Sequence, residues 1–466
     1  MPLLAVGLFV AFAATANFSS RQFNDAGSAF TAAWSLTQRG TLDISDVQTV
    51  KAWTVTVGEA EYSDRFPGII IFAAPFYLLL GVKGMATVYP AGIASATAAT
   101  TAMVLLFLLF RRLSNERTGL LATLLVAFGT SVWTVSADSL WPQGVDQVCL
   151  IAAMLLLSSA HYTGAGLAWA YAVFTRPHQA VIAAVCGIAE SWRCRSARPL
   201  LAVGAASSLG VLGLLLYNYF IFGRATLLAG VYGTRLETAG AALDGDQGSL
   251  ATRLFDLPLV ENVAGTLVSP VRGVLILSPF LLLLIPGIKP AWAVAPLWVR
   301  SSAVGGLVYT AVQLTGNHFS GGTGFYSYRL AIEPLTVAAP LLLLAWQNWT
   351  ARSRWRRWCF GALAIFSVVQ HAVGAFAHYP GTDPRQLAWN RYLLVSDLLR
   401  ATTWQLMLIG TISIVILTFV GYLLWVDFTK IGNDSSQQPC HQSEASSRWC
   451  SRTCMASHRH ETPSHC

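Results

Sequence analysis

Long apolar runs, separated by short arginine-bearing segments, govern what this chain can fold into. Residues 89–110, 199–222 and 404–426 are such runs, and others recur between them. About 20 apolar residues in a helix reach across the ~30 Å hydrocarbon core of a bilayer. In that medium a backbone must satisfy its own hydrogen bonds, so runs this long and this apolar mean helices. Composition agrees, because hydrophobic residues make up 54% of the chain and charged residues only 11%, with a mean hydropathy of +0.53. A soluble domain carries roughly 25% charge. The fold class expected is therefore an all-α polytopic membrane protein.

The net charge of +8 would point a soluble domain towards nucleic acid. Here the basic residues gather in short loops: Arg111, Arg112 and Arg117; Arg193, Arg195 and Arg198; Arg352, Arg354, Arg356 and Arg357. The positive-inside bias accounts for them and places those loops in the cytoplasm, so no nucleic-acid partner is expected. Working outward gives spans near 2–16, 89–110, 118–135, 145–161, 199–222, 265–287, 294–315, 329–349, 358–377 and 404–426. Residues 164–190 start and end inside and should form two short helices meeting near Thr175-Arg176-Pro177-His178. Residues 68–82 are short for a span, and a crossing there would invert every later loop. They are read as re-entrant or as lying at the outer interface. The result is about 12 transmembrane helices in the plasma (inner) membrane, with both termini cytoplasmic and outer loops at 17–67, 136–144, 223–262, 316–328 and 378–403. The first apolar segment is read as a retained span, with an uncleaved signal-like anchor as the alternative.

Two domains are expected: a multi-spanning membrane domain over 1–426 and a disordered cytoplasmic tail over 427–466. The tail turns abruptly to Ser, Gln, His, Cys and Arg, a composition that cannot bury a core. Its Cys440, His441, Cys450, Cys454, His458 and His460 either bind zinc or are a fortuitous cluster, since the spacing matches no standard site. Cys149, Cys186, Cys194 and Cys359 lie in or beside spans, so no external disulfide framework is implied.

The first polar stretch concentrates Asp25, Asp43, Asp46, Glu59, Glu61 and Asp64, six of the chain's 22 acidic residues, with Arg21, Lys51 and Arg65 among them. An acidic and basic loop held against a bilayer suits chemistry on a lipid-linked, phosphate-bearing substrate. Asp25 is either a general base for an acceptor hydroxyl or a helix cap. In Asp64-Arg65-Phe66-Pro67-Gly68 the Pro and Gly explain a turn. Arg65 there either clamps a phosphate bidentately or pairs with Asp64. Arg272, in Ser269-Pro270-Val271-Arg272-Gly273, lies near the interface, where an ionisable residue is functional or paired. Arg329 either pairs with Glu333 one turn on or faces a lipid phosphate. Arg176, His178, Asp138, Asp146 and His318 are each read as satisfied polar residues of a bundle. No Walker A loop, dinucleotide glycine fingerprint, HExxH helix or GxSxG turn is present. No cofactor is demanded, no metal site is assigned, and a divalent cation at the acidic loop stays open.

Several stretches together resemble the GT-C glycosyltransferase superfamily, especially the bacterial proteins related to dolichyl-phosphate-mannose-protein mannosyltransferases. They are Asn24-Asp25, Arg39-Gly40-Thr41-Leu42-Asp43, Tyr62 to Gly68, and Ser139-Leu140-Trp141-Pro142-Gln143. Tyr217-Asn218, Phe222-Gly223, Leu267 to Gly273, Ser278-Pro279, and Gly321-Gly322 through Leu330 complete the set. The resemblance implies a membrane glycosyltransferase that moves a sugar from a polyprenyl-phosphate donor to an envelope glycan, lipid or protein on the outer face. It implies Asp25 as the catalytic base, with Arg21, Lys51, Asp64, Arg65, Arg272 and Arg329 as substrate-binding candidates. Two departures from that group are Gln143, where His is common, and the lack of a soluble outer domain. A lipid-linked-sugar transporter or flippase, a polysaccharide polymerase or ligase using His378, Arg385 and Arg391, and a non-catalytic relative are the rival readings.

Overall fold

The computed structural model describes residues 1–18, 25–47, 53–228, 259–322, 324–377, 389, 392–411, 413–415 and 418, and for Asp25 and Leu393 the backbone alone. Contacts divide the chain into one compact unit, Met1–Ile414, and a second, Val415–Cys466. The first unit is described below. The His/Cys tail lies outside the described residues, and Cys149, Cys186, Cys194 and Cys359 are free thiols.

Helices dominate, in the order α1 Pro2–Thr15, α2 Asp25–Arg39, α3 Pro67–Leu80, α4 Tyr89–Phe110, α5 Glu116–Gly129, α6 Pro142–Leu157, α7 Tyr162–Thr175, α8 Ala180–Cys194 and α9 Arg198–Phe222. After the undescribed 229–258 follow α10 Leu259–Val268, α11 Val274–Leu277, α12 Ile288–Val294, α13 Leu297–Gly316, α14 Ile332–Asn348, α15 Arg354–Ala377 and α16 Leu393–Leu398. Proline occupies the first turn of α1, α3, α4, α6 and α9, where its missing N–H costs nothing and its fixed φ suits the helix. The side chain of Asn115 caps α5 by accepting from Thr118 N at 2.8 Å.

By length and composition α4, α9 and α15, of 22, 25 and 24 residues, are able to cross a membrane among the described residues. The other apolar helices are shorter. Helix α3, over the segment expected to be re-entrant, has 14 residues, or ~21 Å at 1.5 Å per residue, and packs on α2, α4 and α7. Residues 164–190 form two helices meeting at a 3-10 turn, Pro177–Gln179, as the hydropathy reading expects.

The single span expected at 265–287 does not exist as one helix. Pro270, Pro279 and Pro286 each remove a donor from the ladder. The Ser269 hydroxyl then accepts from Val271 N and Arg272 N, both at 3.2 Å, a local alternative to helical bonding. The chain breaks into α10, a turn, α11 and two 3-10 pieces, Pro279–Leu283 and Ile285–Gly287.

An antiparallel hairpin in the first polar stretch is also absent from the sequence reading. Strands β1 Thr54–Val57 and β2 Ala60–Ser63 pair with Thr54 opposite Ser63 and Val57 opposite Ala60. Gly58 turns the hairpin at φ +65°, a conformation open to glycine at little cost. Small residues let α7 and α9 approach closely. A Cβ on Gly210 would sit 2.0 Å from the Ala170 carbonyl oxygen, as membrane helices without a hydrophobic driving force require. One core joins Ala26, Ala29 and Ala33 of α2 to Ile69, Ala73 and Tyr77 of α3, Ala91 and Ala94 of α4, and Leu140.

Candidate functional site

Much of the acidity of the first polar stretch is used to build it. Asp43 Oδ1 accepts from Ser45 N at 2.9 Å and Glu61 N at 3.1 Å, and the Asp43 carbonyl accepts from Ser35 Oγ of α2 at 2.8 Å. Burial opposes the Asp43 charge, but these hydrogen bonds and the nearby Arg39 outweigh it and hold the carboxyl below its usual range. Asp46 pairs with Arg39 at 2.7 Å, and Glu61 accepts from Thr54 Oγ1 at 3.3 Å. The hairpin is thus laced to α2.

Arg21 and Lys51 lie outside the described residues. Asp25 is the first residue of α2, and its side chain is likewise outside the description. Ser63, which ends β2, donates from Oγ to Ser28 Oγ at 3.0 Å, and Ser28 lies in the first turn of α2. Asp64 and Arg65 follow directly, so the chain brings them beside the turn that Asp25 begins. Arg65 grips the buried Asp64 carboxylate with both Nε, at 2.6 Å to Oδ1, and Nη2. Its guanidinium lies 5.3 Å from the Trp53 ring centroid.

A second segment, expected from the sequence to be an outer loop, meets this turn. Asn17 N, just past α1, donates to the Asp138 carbonyl at 2.8 Å. Burial pushes the Asp138 carboxyl up to about 7, against the hydrogen bond from Ser139 Oγ at 2.9 Å. Leu140 packs in the core with Ala26 of α2. The next residue, Trp141, faces the third outer segment, with Phe325 edge-on at 5.6 Å and the Arg329 guanidinium 4.5 Å from its centroid. Arg329 also lies 5.3 Å from the Phe325 ring, so two aromatic faces hold its charge.

Arg272 braces that third segment. Buried beneath it, Arg272 donates to the carbonyls of Ser320, Phe325 and Ser327 at 3.0 Å each and of Gly322 at 3.3 Å, and stacks 4.0 Å from Phe325. The loop turns inward through Gly321, Gly322 and Gly324, all at positive φ, and Ser327 at φ +74°. Its carbonyls converge on one donor fork, and they account for the buried charge.

Sequence reasoning missed a polar cluster inside the bundle. Glu333 does not pair with Arg329. It binds Arg176, which is 157 residues away in the chain and lies at the α7–α8 break. Arg176 also donates to Tyr309 OH at 3.3 Å, and His178 Nε2 lies 3.0 Å from the same hydroxyl. Beside them Asp146 accepts from Thr175 Oγ1 at 2.5 Å and Gln179 Nε2 at 3.2 Å. Helical periodicity favours the local i,i+4 partner. Only the tertiary packing of α14 on α6 and α13, and of α13 on α8, brings Arg176 to Glu333. Pro177 beside a lone arginine in apolar sequence was the available signal.

Among the described residues no group of three His, Cys, Asp or Glu side chains is placed to hold a metal ion. These segments bring together a helix turn that Asp25 begins and an Asp–Arg pair at its side, and Leu140 and Trp141 link that turn to the aromatic-backed Arg329.

No family model matches the chain, and no curated protein matches it. Solved structures do. The oligosaccharyltransferase of Archaeoglobus fulgidus, in complex with Zn and sulfate, aligns at TM-score 0.52 and 12% identity over 81% of this chain and 54% of that one. ArnT from Cupriavidus metallidurans, bound to undecaprenyl phosphate, aligns at TM-score 0.45 and 14% identity over 91% of this chain and 77% of that one. The chain spans about half the length of the oligosaccharyltransferase. At this identity the likeness to that enzyme speaks of architecture, and the architecture of this chain is GT-C-like.

Proposed function

We propose that the protein is a membrane glycosyltransferase that moves a sugar from a polyprenyl-phosphate donor to an acceptor of the cell envelope on the outer face. The observation that carries this reading is a run of contacts on a GT-C-like scaffold, from the first turn of α2 to Ser63 and Leu140 and on through Trp141 to Arg329. In the proposed step the acceptor hydroxyl oxygen attacks the anomeric carbon. The bond from that carbon to the phosphate oxygen breaks, and the hydroxyl proton passes to the Asp25 carboxylate. Charge grows on the departing polyprenyl phosphate, where Arg329 and Arg65, with Lys51 and Arg21, supply positive potential. Arg272 serves the same end by shaping the loop before Arg329.

The buried cluster of Asp146, Arg176, His178, Tyr309 and Glu333 favours a second reading, a lipid-linked-sugar flippase, because intramembrane charges often mark transport paths. One experiment separates the two. Membranes bearing wild type or Asp25→Asn at matched expression are given radiolabelled sugar on a panel of polyprenyl-phosphate donors. Transfer by wild type and at least a 100-fold loss in Asp25→Asn is the result expected. Equal transfer by both removes Asp25 from catalysis, and no transfer by wild type from any donor moves the assignment to the flippase.

A further inference from the structure

At the opposite end of the bundle, four arginines, Arg352, Arg354, Arg356 and Arg357, sit at the start of α15. The sequence holds no Asp or Glu from Pro334 through Thr382 to balance them. Among the described residues no carboxylate pairs with Arg352, Arg354 or Arg356. Arg352 donates to Asn348 Oδ1 at 3.1 Å, and the Arg356 guanidinium stacks 4.0 Å above Trp349. One Arg356 nitrogen, Nη1, is shut off from solvent with no hydrogen-bond acceptor. A second loop approaches this end of the bundle, because Gln347 Nε2 donates to the Leu113 carbonyl at 3.2 Å, two residues on from the exposed Arg111. Between these cations Trp355 and Trp358 are 74% and 58% exposed. Large exposed rings beside guanidinium groups mark the level where acyl chains give way to headgroups.

We propose that this patch is a binding site for an anionic phospholipid headgroup, with the phosphate on Arg352, Arg354 and Arg356 and the glycerol and upper acyl region against Trp355 and Trp358. Guanidinium forks match phosphate geometry bidentately, and basic pockets between helices retain anionic headgroups. The proposal is independent of the sugar transfer.

The test uses the full chain purified in neutral detergent and equilibrium binding of tail-labelled phosphatidylglycerol and phosphatidylcholine. A basic side chain near an anionic surface strengthens binding roughly fivefold, and screening at physiological salt leaves part of that. Wild type is expected to prefer phosphatidylglycerol by at least tenfold. Arg352→Gln/Arg354→Gln/Arg356→Gln is expected to lose that preference. A control triple, Arg198→Gln/Arg224→Gln/Arg400→Gln, removes the same charge elsewhere and is expected to stay within twofold of wild type. Equal binding of both lipids by wild type overturns the proposal, as does an equal loss in the control triple. Complete competition by 10 mM inorganic phosphate, leaving no lipid preference, overturns it in favour of a free-phosphate site.

Discussion

Removing Arg176 from Glu333 tests the interior of this fold most directly. The Glu333 side chain is wholly buried and that of Arg176 is 11% exposed. Breaking a buried pair from one side costs about 3–5 kcal/mol, because the survivor stays charged in an apolar setting. Arg176→Gln belongs at the upper end of that range. It strips Glu333 of its cation, leaves Tyr309 without one donor, and removes the positive charge nearest Asp146. Glu333→Gln is milder, roughly 1–3 kcal/mol, since Arg176 keeps Tyr309 and the attraction of Asp146. The double variant leaves no bare charge at the broken contact and should lose only about 2 kcal/mol. Singles that sum to about 6–8 kcal/mol, three to four times the cost of the double, define a coupling of about 4–6 kcal/mol, far above the ~0.5 kcal/mol scatter of independent sites. Reversible SDS-titration unfolding in mixed micelles, followed by tryptophan fluorescence, measures all four proteins. A double variant that loses the full sum of the singles would refute the reasoning and mean that the two side chains do not share one low-dielectric site.

Two further outcomes follow from the outer segments. Arg272→Gln removes a donor shared by four carbonyls and is expected to cost at least ~3 kcal/mol and to raise amide exchange across 320–328; unchanged protection there would mean the loop holds itself. Asp138, held up to about 7 by burial, ionises near 3.9 when unfolded. Its contribution is therefore fully present below ~4 and is lost as pH rises towards 7, with a slope of at most ~1.4 kcal/mol per pH unit. Asp138→Asn is expected to flatten that fall in SDS-titration stability, and an unaltered slope would show that another group governs it.

The helical class was legible because hydropathy and helix length obey the same ~30 Å requirement, and Pro177 marked the α7–α8 break correctly. The span across 265–287 was not legible. Apolar character over Leu267 to Gly287 hides three prolines whose lost donors outweigh it. The hairpin was hidden for the opposite reason. Its strands are four residues each, one carries Glu61, and burial in Thr54-Val55-Thr56-Val57 falls on the first two residues instead of following the alternation, so they are held by Asp43 and Ser63 instead of by a core of their own. For the site, the sequence located the Asp64–Arg65 pair and singled out Arg272 and Arg329. It did not separate them by role, because one arginine in an apolar stretch looks like another until its partners are known. Arg272 reaches loop carbonyls, Arg329 aromatic faces and Arg176 a carboxylate, and these three solutions share no local signature.

That division bears on the choice between transfer and transport. A transporter with alternating access needs a polar site whose surroundings rearrange, and commonly builds it from interrupted helices in both halves of the chain. The helix break at Arg176-Pro177 faces unbroken α13 and the first turn of α14, while the broken segment over 259–287 packs on α15 and is held by Arg272 to the loop over 320–327. The Arg176–Glu333 pair fastens the start of α14 three residues beyond Arg329, and Arg272 fastens the loop just before it. In the proposed transfer, an arginine pinned from both sides, against Trp141 and Phe325, would meet developing phosphate charge without reorganising. On that proposal the cluster that first suggests a transport path is the footing of the segment that carries Arg329.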